Sequence, residues 1–186
     1  EEGARHGIHA QLYWPGLVGS DSRTHPWADE ALAQYSALVY FEDRYGKERA
    51  ALEADRQVAA NYQMMRLLGK PDGKVDRAVD AFDSEIAYAG LVYGKAPFFF
   101  RELRKAVGDE AFFAAFVAHV TEHRLQNAPP RAFIDRLAKG PKGEEVKKLA
   151  RRWLDEAHGD ADLGGPDLWK VLAGFIGPAG GKNLGA

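Results

Sequence analysis

Apolar side chains recur three or four residues apart along most of this sequence, and almost no stretch alternates between apolar and polar residues. That spacing places apolar side chains on one face of a helix, whereas a half-buried strand needs a spacing of two. Glycine and proline divide the pattern into helical stretches, which we predict at residues 27–44, 47–68, 88–107, 110–123, 130–139 and 143–157. The sequence therefore predicts an all-α fold, a single multi-helix domain of about seven or eight helices.

The composition agrees with one globular domain and excludes several classes of function. Of the 186 residues, 46% are hydrophobic, which suffices for one sizeable core. We predict a helical domain at residues 1–160, followed by a short helix and a glycine-rich tail at 161–186. A net charge of −2 argues against a nucleic-acid partner, and no apolar run is long enough for a membrane span. Cysteine is absent, which excludes disulfides and thiolate zinc ligands.

A polar, glycine-rich loop precedes the first long helical pattern and places Glu30 in its first turn. Pro26 suits the start of a helix, and the carboxylates of Asp29 and Glu30 suit the positive end of its dipole. Taken alone, Glu30 is explained by this dipole interaction at a solvated helix start. A functional role for Glu30 needs further support from the sequence.

Two stretches around Glu30 resemble a known motif. Residues 16–21 read G-L-V-G-S-D, and residues 25–35 read H-P-W-A-D-E-A-L-A-Q-Y. They are similar to the segment after the zinc motif in the aminopeptidase N family of gluzincin metallopeptidases. In that family H-E-x-x-H precedes, at a fixed distance, the glutamate of a W-x-x-E-[GA] segment on the next helix.

Further stretches in the same order extend the resemblance over roughly residues 6–160. Residues 88–96, Y-A-G-L-V-Y-G-K-A, resemble the family's Y-x-K-G element, which has another tyrosine five residues before it. Residues 103–116 and the Trp153-Leu154 region are similar to the helices that follow. The resemblance implies the helical half, or C-terminal lobe, of a gluzincin catalytic domain. It implies that the sheet half and a β-rich N-terminal domain are missing from this chain, so that the chain is a truncated fragment.

The resemblance also implies roles for individual residues. Glu30 takes the position of the third zinc ligand, and Tyr93 that of the phenol donating a hydrogen bond to the oxyanion. Tyr88 takes a pocket-lining position beside Tyr93. A carboxylate and two imidazoles are a ligand set that leaves zinc an open position, and the expected substrate is a peptide. The competing explanation for both tyrosines is ordinary packing of their rings.

The sequence departs from the family at the residues that matter most for catalysis. Aligned without gaps, the two zinc histidines fall on Gly7 and Gln11, and the general-base glutamate falls on Ile8. With a slip of one residue, His6 aligns with the first histidine and His9 lies one position short of the second. Neither alignment gives H-E-x-x-H, and no carboxylate is placed to activate a water.

Three functional hypotheses follow from this pattern. In the first, the chain is a fragment of a zinc metallopeptidase, inactive by itself, with a degenerate metal site of His6, His9 and Glu30. In the second, it is a non-catalytic helical binding or structural domain of the same descent. In the third, it is an unrelated helical module. The string H-x-x-E-H at His119 and His123 resembles an inverted zinc motif, but no third ligand is evident, and we expect a solvated helix end there.

Overall fold

The computed structural model describes residues 17–169 and 171–172, and within them it contains seven helices and no β-strand. Three are uniform: α1 is Trp27–Tyr45, α4 is Asp109–Glu122 and α5 is Ala132–Ala138. Three others contain a π-helical segment. Helix α2 spans 47–67 and is π-helical at Ala54–Ala59, between the α-helical parts Lys47–Glu53 and Ala60–Leu67. Helix α3 spans 85–107 and is π-helical at Ala89–Lys95, between Glu85–Tyr88 and Ala96–Val107, and α6 spans 143–155, with Gly143–Ala150 followed by π-helical Arg151–Asp155. The seventh, α7, is Gly159–Leu163. The predicted all-α fold is confirmed.

The core is built around aromatic side chains of α1 and the second half of α3. Trp27 is 1% exposed and meets the rings of Phe99 and Phe100 at 6.2 and 6.4 Å between centroids. Tyr35, two turns further along α1, stacks on Phe100 at 6.0 Å and meets Phe112 of α4 edge-on at 5.9 Å. Burial of each such ring stabilises the fold by about 2 kcal/mol. These contacts fix the direction of α1, and therefore of its first turn.

Glycines set where the long helices end and how closely two of them approach. Gly46 and Gly108 have φ of 86° and 85°, a region that favours glycine, and they end α1 and α3. In the π-helical part of α3, a Cβ added at Gly94 would lie 2.5 Å from the backbone nitrogen of Tyr62 in α2. One added at Gly90 would lie 2.5 Å from the Met65 side chain. The two helices therefore pack almost backbone to backbone.

α3 begins three residues earlier than the sequence pattern predicted. The reason is a cap: the Ser84 hydroxyl accepts a hydrogen bond from the backbone N–H of Ala87 at 3.2 Å, which satisfies a free donor of the first turn. Pro97 lies in the first turn of the second α-helical part and does not break the helix, as the pattern allowed.

The segment after α6 packs against α2 through polar side chains. Gln63 is fully buried; it donates to the carbonyl oxygens of Leu163 and Gly164 and accepts from the N–H of Asp167. Tyr62 donates to Asp160 at 2.8 Å. The division of the chain into residues 1–160 and 161–186 stays a prediction. No helix in the described ranges is long and apolar enough to cross a membrane.

Candidate functional site

Glu30 lies half-buried in the first turn of α1, where its backbone is firmly held. Its N–H donates to the Pro26 carbonyl oxygen at 3.1 Å and to the Asp29 carboxylate at 3.0 Å. The other oxygen of Asp29 accepts from the Ser22 hydroxyl at 2.5 Å, and Asp29 is 6% exposed. Asp29 therefore serves the helix start, and the side chain of Glu30 remains available for other contacts.

The structure brings Tyr93 and Tyr88 to Glu30. The two rings meet edge-on, 5.6 Å apart and inclined at 75°. Burial is the largest cause that raises the pKa of each phenol, and the Glu30 carboxylate raises both further. Both phenols therefore stay protonated across the physiological range and can donate hydrogen bonds. Glu30, Tyr88 and Tyr93, three of the residues that the sequence analysis selected, therefore share one site, although 58 or more positions separate Glu30 from the tyrosines.

The carboxylate of Glu30 forms no ion pair within the described residues. Burial raises its pKa, hydrogen bonding with the Tyr93 hydroxyl opposes that rise, and Asp29 adds repulsion. Carboxylates that are withdrawn from solvent are normally paired with a cation, because an unpaired buried charge is costly. An anionic side chain that lies beside two phenols, with no lysine or arginine in the described part of the chain to balance it, is a place where a cation would bind favourably.

The loop that leads into α1 is held by an ion-pair network that the sequence analysis missed. His25 Nδ1 lies 2.6 Å from Oδ1 of Asp76, and Arg131 donates to the other oxygen of Asp76 at 2.6 Å. Arg131 also bonds Asp155 at 2.6 Å. The pKa of the Asp76 carboxyl is lowered because the hydrogen bonds of His25 and Arg131 outweigh the effect of burial. The network ties the start of α1 to three later parts of the chain, and no short motif marks it.

The described residues alone do not make a zinc site. No group of three or more His, Cys, Asp or Glu side chains converges within them, and a single carboxylate cannot hold zinc. The two histidines proposed as further ligands, His6 and His9, lie outside the described residues, as do Gly7, Ile8 and Gln11. The geometry therefore shows the surroundings of Glu30 and leaves the histidine ligands as a prediction.

His119, the first histidine of the H-x-x-E-H string, is buried, which corrects our expectation of a solvated helix end for this residue, whereas Glu122 at the end of α4 is exposed. His119 is 6% exposed and packs on Phe133 at 5.9 Å, and its Nδ1 has no hydrogen-bond partner among the described residues. Burial lowers the pKa of His119 to about 4, and His123 adds to the shift. The aromatic side chains of α4 and α5 account for its burial, and no third ligand is found among the described residues.

Comparison with known proteins identifies the family of the chain. The profile of the Peptidase family M1 domain matches residues 10–153. The chain belongs to peptidase family M1. The match spans both the Glu30 segment and the tyrosine segment, so the resemblance to an aminopeptidase N-like gluzincin domain is confirmed and the unrelated helical module is excluded. Neither the curated proteins nor the solved structures that were compared give a significant match.

Membership of family M1 relates the chain to metallopeptidases, which are hydrolases and in this family generally zinc-dependent. It suggests a peptide as the class of substrate. The family assignment does not by itself give Glu30, Tyr88 or Tyr93 a role in this chain. Those roles depend on the local geometry and on experiment.

Proposed function

We propose that this chain is the helical part of an aminopeptidase-like zinc metallopeptidase domain, with Glu30 in the position of the third zinc ligand. Tyr93 takes the position that donates a hydrogen bond to the oxyanion of peptide cleavage, and Tyr88 lines the pocket beside it. His6 and His9 are the remaining candidates for ligands in this sequence. A peptide is the proposed substrate, and the sheet half and a β-rich N-terminal domain are the proposed structural partners, both by family resemblance.

The observation that carries the proposal is the half-buried Glu30 carboxylate, which has two phenols beside it and no cation among the described residues. Keeping such a group ionised costs stability, because burial disfavours its charged form. A bound cation would remove this cost. The arrangement is therefore better explained by a ligand role than by the dipole of α1 alone.

We further propose that this chain does not hydrolyse peptides by itself. The family mechanism needs a carboxylate next to the first zinc histidine, and this sequence has Ile8 or Gly7 at that position, depending on the alignment. The alternative is a non-catalytic helical binding or structural domain of the same descent. That alternative is favoured by the same departure, and metal content distinguishes the two.

The first experiment measures zinc by elemental analysis after dialysis, in the parent protein and in two variants. Glu30→Ala removes the proposed ligand, and Glu42→Ala removes a carboxylate that is paired with Arg104 on the same helix. We expect stoichiometric zinc in the unaltered protein and in Glu42→Ala, and none in Glu30→Ala. Absence of zinc from all three proteins would support the non-catalytic domain and count against a surviving metal site.

A second experiment restores the family motif. Gly7→His, Ile8→Glu and Gln11→His together recreate H-E-x-x-H in the alignment without gaps. If Glu30 occupies the third ligand position, the triple variant should bind one zinc tightly, and adding Glu30→Ala should abolish that binding. Equal zinc affinity with and without Glu30 would contradict its proposed role, whatever the parent protein binds.

A further inference from the structure

Lys95 is a buried lysine whose ammonium group is fully used. It is the one charged residue between Ile86 and Phe100, and it is 0% exposed. Its Nζ lies 3.1 and 3.3 Å from the two oxygens of Asp72, 3.1 Å from the carbonyl oxygen of Gly73 and 3.0 Å from that of Glu156. Lysine has three N–H donors, and this site offers acceptors for all of them.

These contacts join three segments that are far apart in the sequence. The Asp72-Gly73 turn follows α2, Glu156 follows α6, and Lys95 ends the π-helical part of α3. Asp72 also accepts from the N–H of Gly159 at 2.6 Å, which brings the start of α7 to the same point. Burying an ammonium group is costly unless it is paired and hydrogen-bonded, so the site is sensitive to the loss of any partner.

Lys95 shares its π-helical segment with Tyr93, two positions earlier. Residues two apart on a helix project to roughly opposite sides, so the lysine reaches into the body of the domain while the phenol meets Glu30. Gly94, between them, approaches the Tyr62 backbone too closely for a side chain. The close approach of Gly94 to α2 therefore sets the distance between the two helices, and the contacts of Lys95 hold the end of the π-helical segment.

We propose that Lys95 is a positioning residue for Tyr93: its bonds to Asp72, Gly73 and Glu156 hold the end of the π-helical segment so that the phenol lies against Glu30. This inference rests on the proposed role of the Glu30–Tyr93 site. Its test reads the contact itself and needs neither zinc nor hydrolysis, so a failure of the metal experiments and a failure here are distinguishable.

The test uses NMR on protein whose seven tyrosines carry ¹³C at Cζ, a nucleus that responds to hydrogen bonding of the hydroxyl. Tyr93→Phe and Tyr88→Phe assign the two signals. In the otherwise unaltered protein, Glu30→Gln should shift the Tyr93 signal. In Lys95→Met, the Tyr93 signal should move from its original position, and its response to Glu30→Gln should be lost.

The control is Arg104→Gln, which breaks an ion pair with Glu42 and Asp109 that involves no residue of the π-helical segment. It should lower stability and leave the Tyr93 signal in place, which separates positioning from general destabilisation. If Lys95→Met does not fold, Asp72→Asn leaves the lysine its two carbonyl acceptors and should give a smaller change of the same kind. An unmoved Tyr93 signal in a folded variant, or no response to Glu30→Gln before Lys95 is altered, would overturn the proposal.

Discussion

Two glutamates on α1 have opposite surroundings. Glu42, near the end of the helix, receives two hydrogen bonds from Arg104, at 2.8 and 3.0 Å. Glu30, in the first turn, meets Tyr93 and Tyr88 and forms no ion pair within the described residues. Both are partly buried side chains of the same type on the same helix.

The difference shows which carboxylate serves the fold. Glu42 joins α1 to α3 through Arg104, and Arg104 continues to Asp109 at the start of α4. Its charge is balanced, so removing it costs stability. Glu30 has no balancing cation among residues 17–169, and burial raises its pKa. Residues that are poorly placed for stability and well placed for a ligand are typical of functional sites.

The largest expected effect concerns the segment that brings the tyrosines to Glu30. Gly94→Ala would place a Cβ 2.5 Å from the Tyr62 backbone nitrogen, and backbone cannot move aside as a flexible side chain can. We expect a loss of about 3 kcal/mol in the free energy of unfolding, even after the helix preference of alanine is counted. Urea denaturation, with midpoints compared at unchanged slope, measures the loss.

Gly73→Ala is the matched control, since an added Cβ there would find its nearest atom, Arg77 Nη2, at an ordinary 3.6 Å. It should change stability by less than about 1 kcal/mol. Equal effects of the two substitutions would mean that α2 and α3 do not pack as closely as described, and the environment of Glu30 would then need revision.

The second prediction concerns His119, a buried histidine near the first turn of α1. It tests whether this part of the molecule buries a second ionisable side chain at a cost in stability. His119 shares a cavity with Trp27 and Ala28, and its pKa is lowered to about 4, against 6.5 unperturbed. As the pH falls from 6.5 to 4, His119 becomes protonated in the unfolded chain but stays neutral in the folded protein. The contribution of this residue, up to about 3 kcal/mol, is therefore complete above pH 6.5 and lost towards pH 4.

His119→Leu should flatten the fall in urea midpoint between pH 6.5 and 4 relative to the unaltered protein. His158→Gln, at a histidine whose side chain is 40% exposed, is the control for removing an imidazole as such. A slope that survives His119→Leu would show that other groups cause the acid sensitivity and that the folded state binds a proton at His119 as readily as the unfolded chain does.

The helices and the candidate site were predicted from the sequence for different reasons. Helices such as α1 and α4 follow from local spacing of apolar residues, which a single sequence displays directly. Helix ends were less exact: the early start of α3 depends on the Ser84 hydroxyl, whose capping role a spacing pattern does not reveal. Glu30, Tyr88 and Tyr93 were selected through family motifs, and the structure brings them together.

The contacts that support the site could not be predicted in the same way. The bond between Lys95 and Asp72 joins residues 23 positions apart, and the His25–Asp76 pair spans 51 positions. Which of the chain's many charges pair over such distances depends on the packed fold. A signal for Lys95 did exist, because a lone lysine in an otherwise uncharged helical stretch must be buried with a partner or reach solvent. For His119, the neighbouring phenylalanines were a similar but weaker signal.

The next largest expected effect on stability concerns Glu42, the glutamate whose charge is paired with Arg104. Glu42→Gln keeps the shape of the side chain and removes the charge that pairs with Arg104, whose side chain is 13% exposed. We expect a loss of about 1 to 2 kcal/mol in the free energy of unfolding at pH 7, because Asp109 is then the one charged partner left to Arg104 among the described residues. The same urea titration measures it, and no loss would mean that the pair contributes nothing net.

Glu30→Gln should have the opposite sign and the smallest size. Burial raises the pKa of Glu30 above 4.5, so the unfolded chain loses its proton first as the pH rises, and the folded state carries a penalty above that range. In chelator-treated protein we expect a gain of about 0.5 to 1 kcal/mol at pH 7 that vanishes below about pH 4.5. A loss at pH 7 comparable to that of Glu42→Gln would show that the Glu30 carboxylate already has a stabilising partner. The contrast between the two glutamates, and the main support for a cation ligand at Glu30, would then fail together.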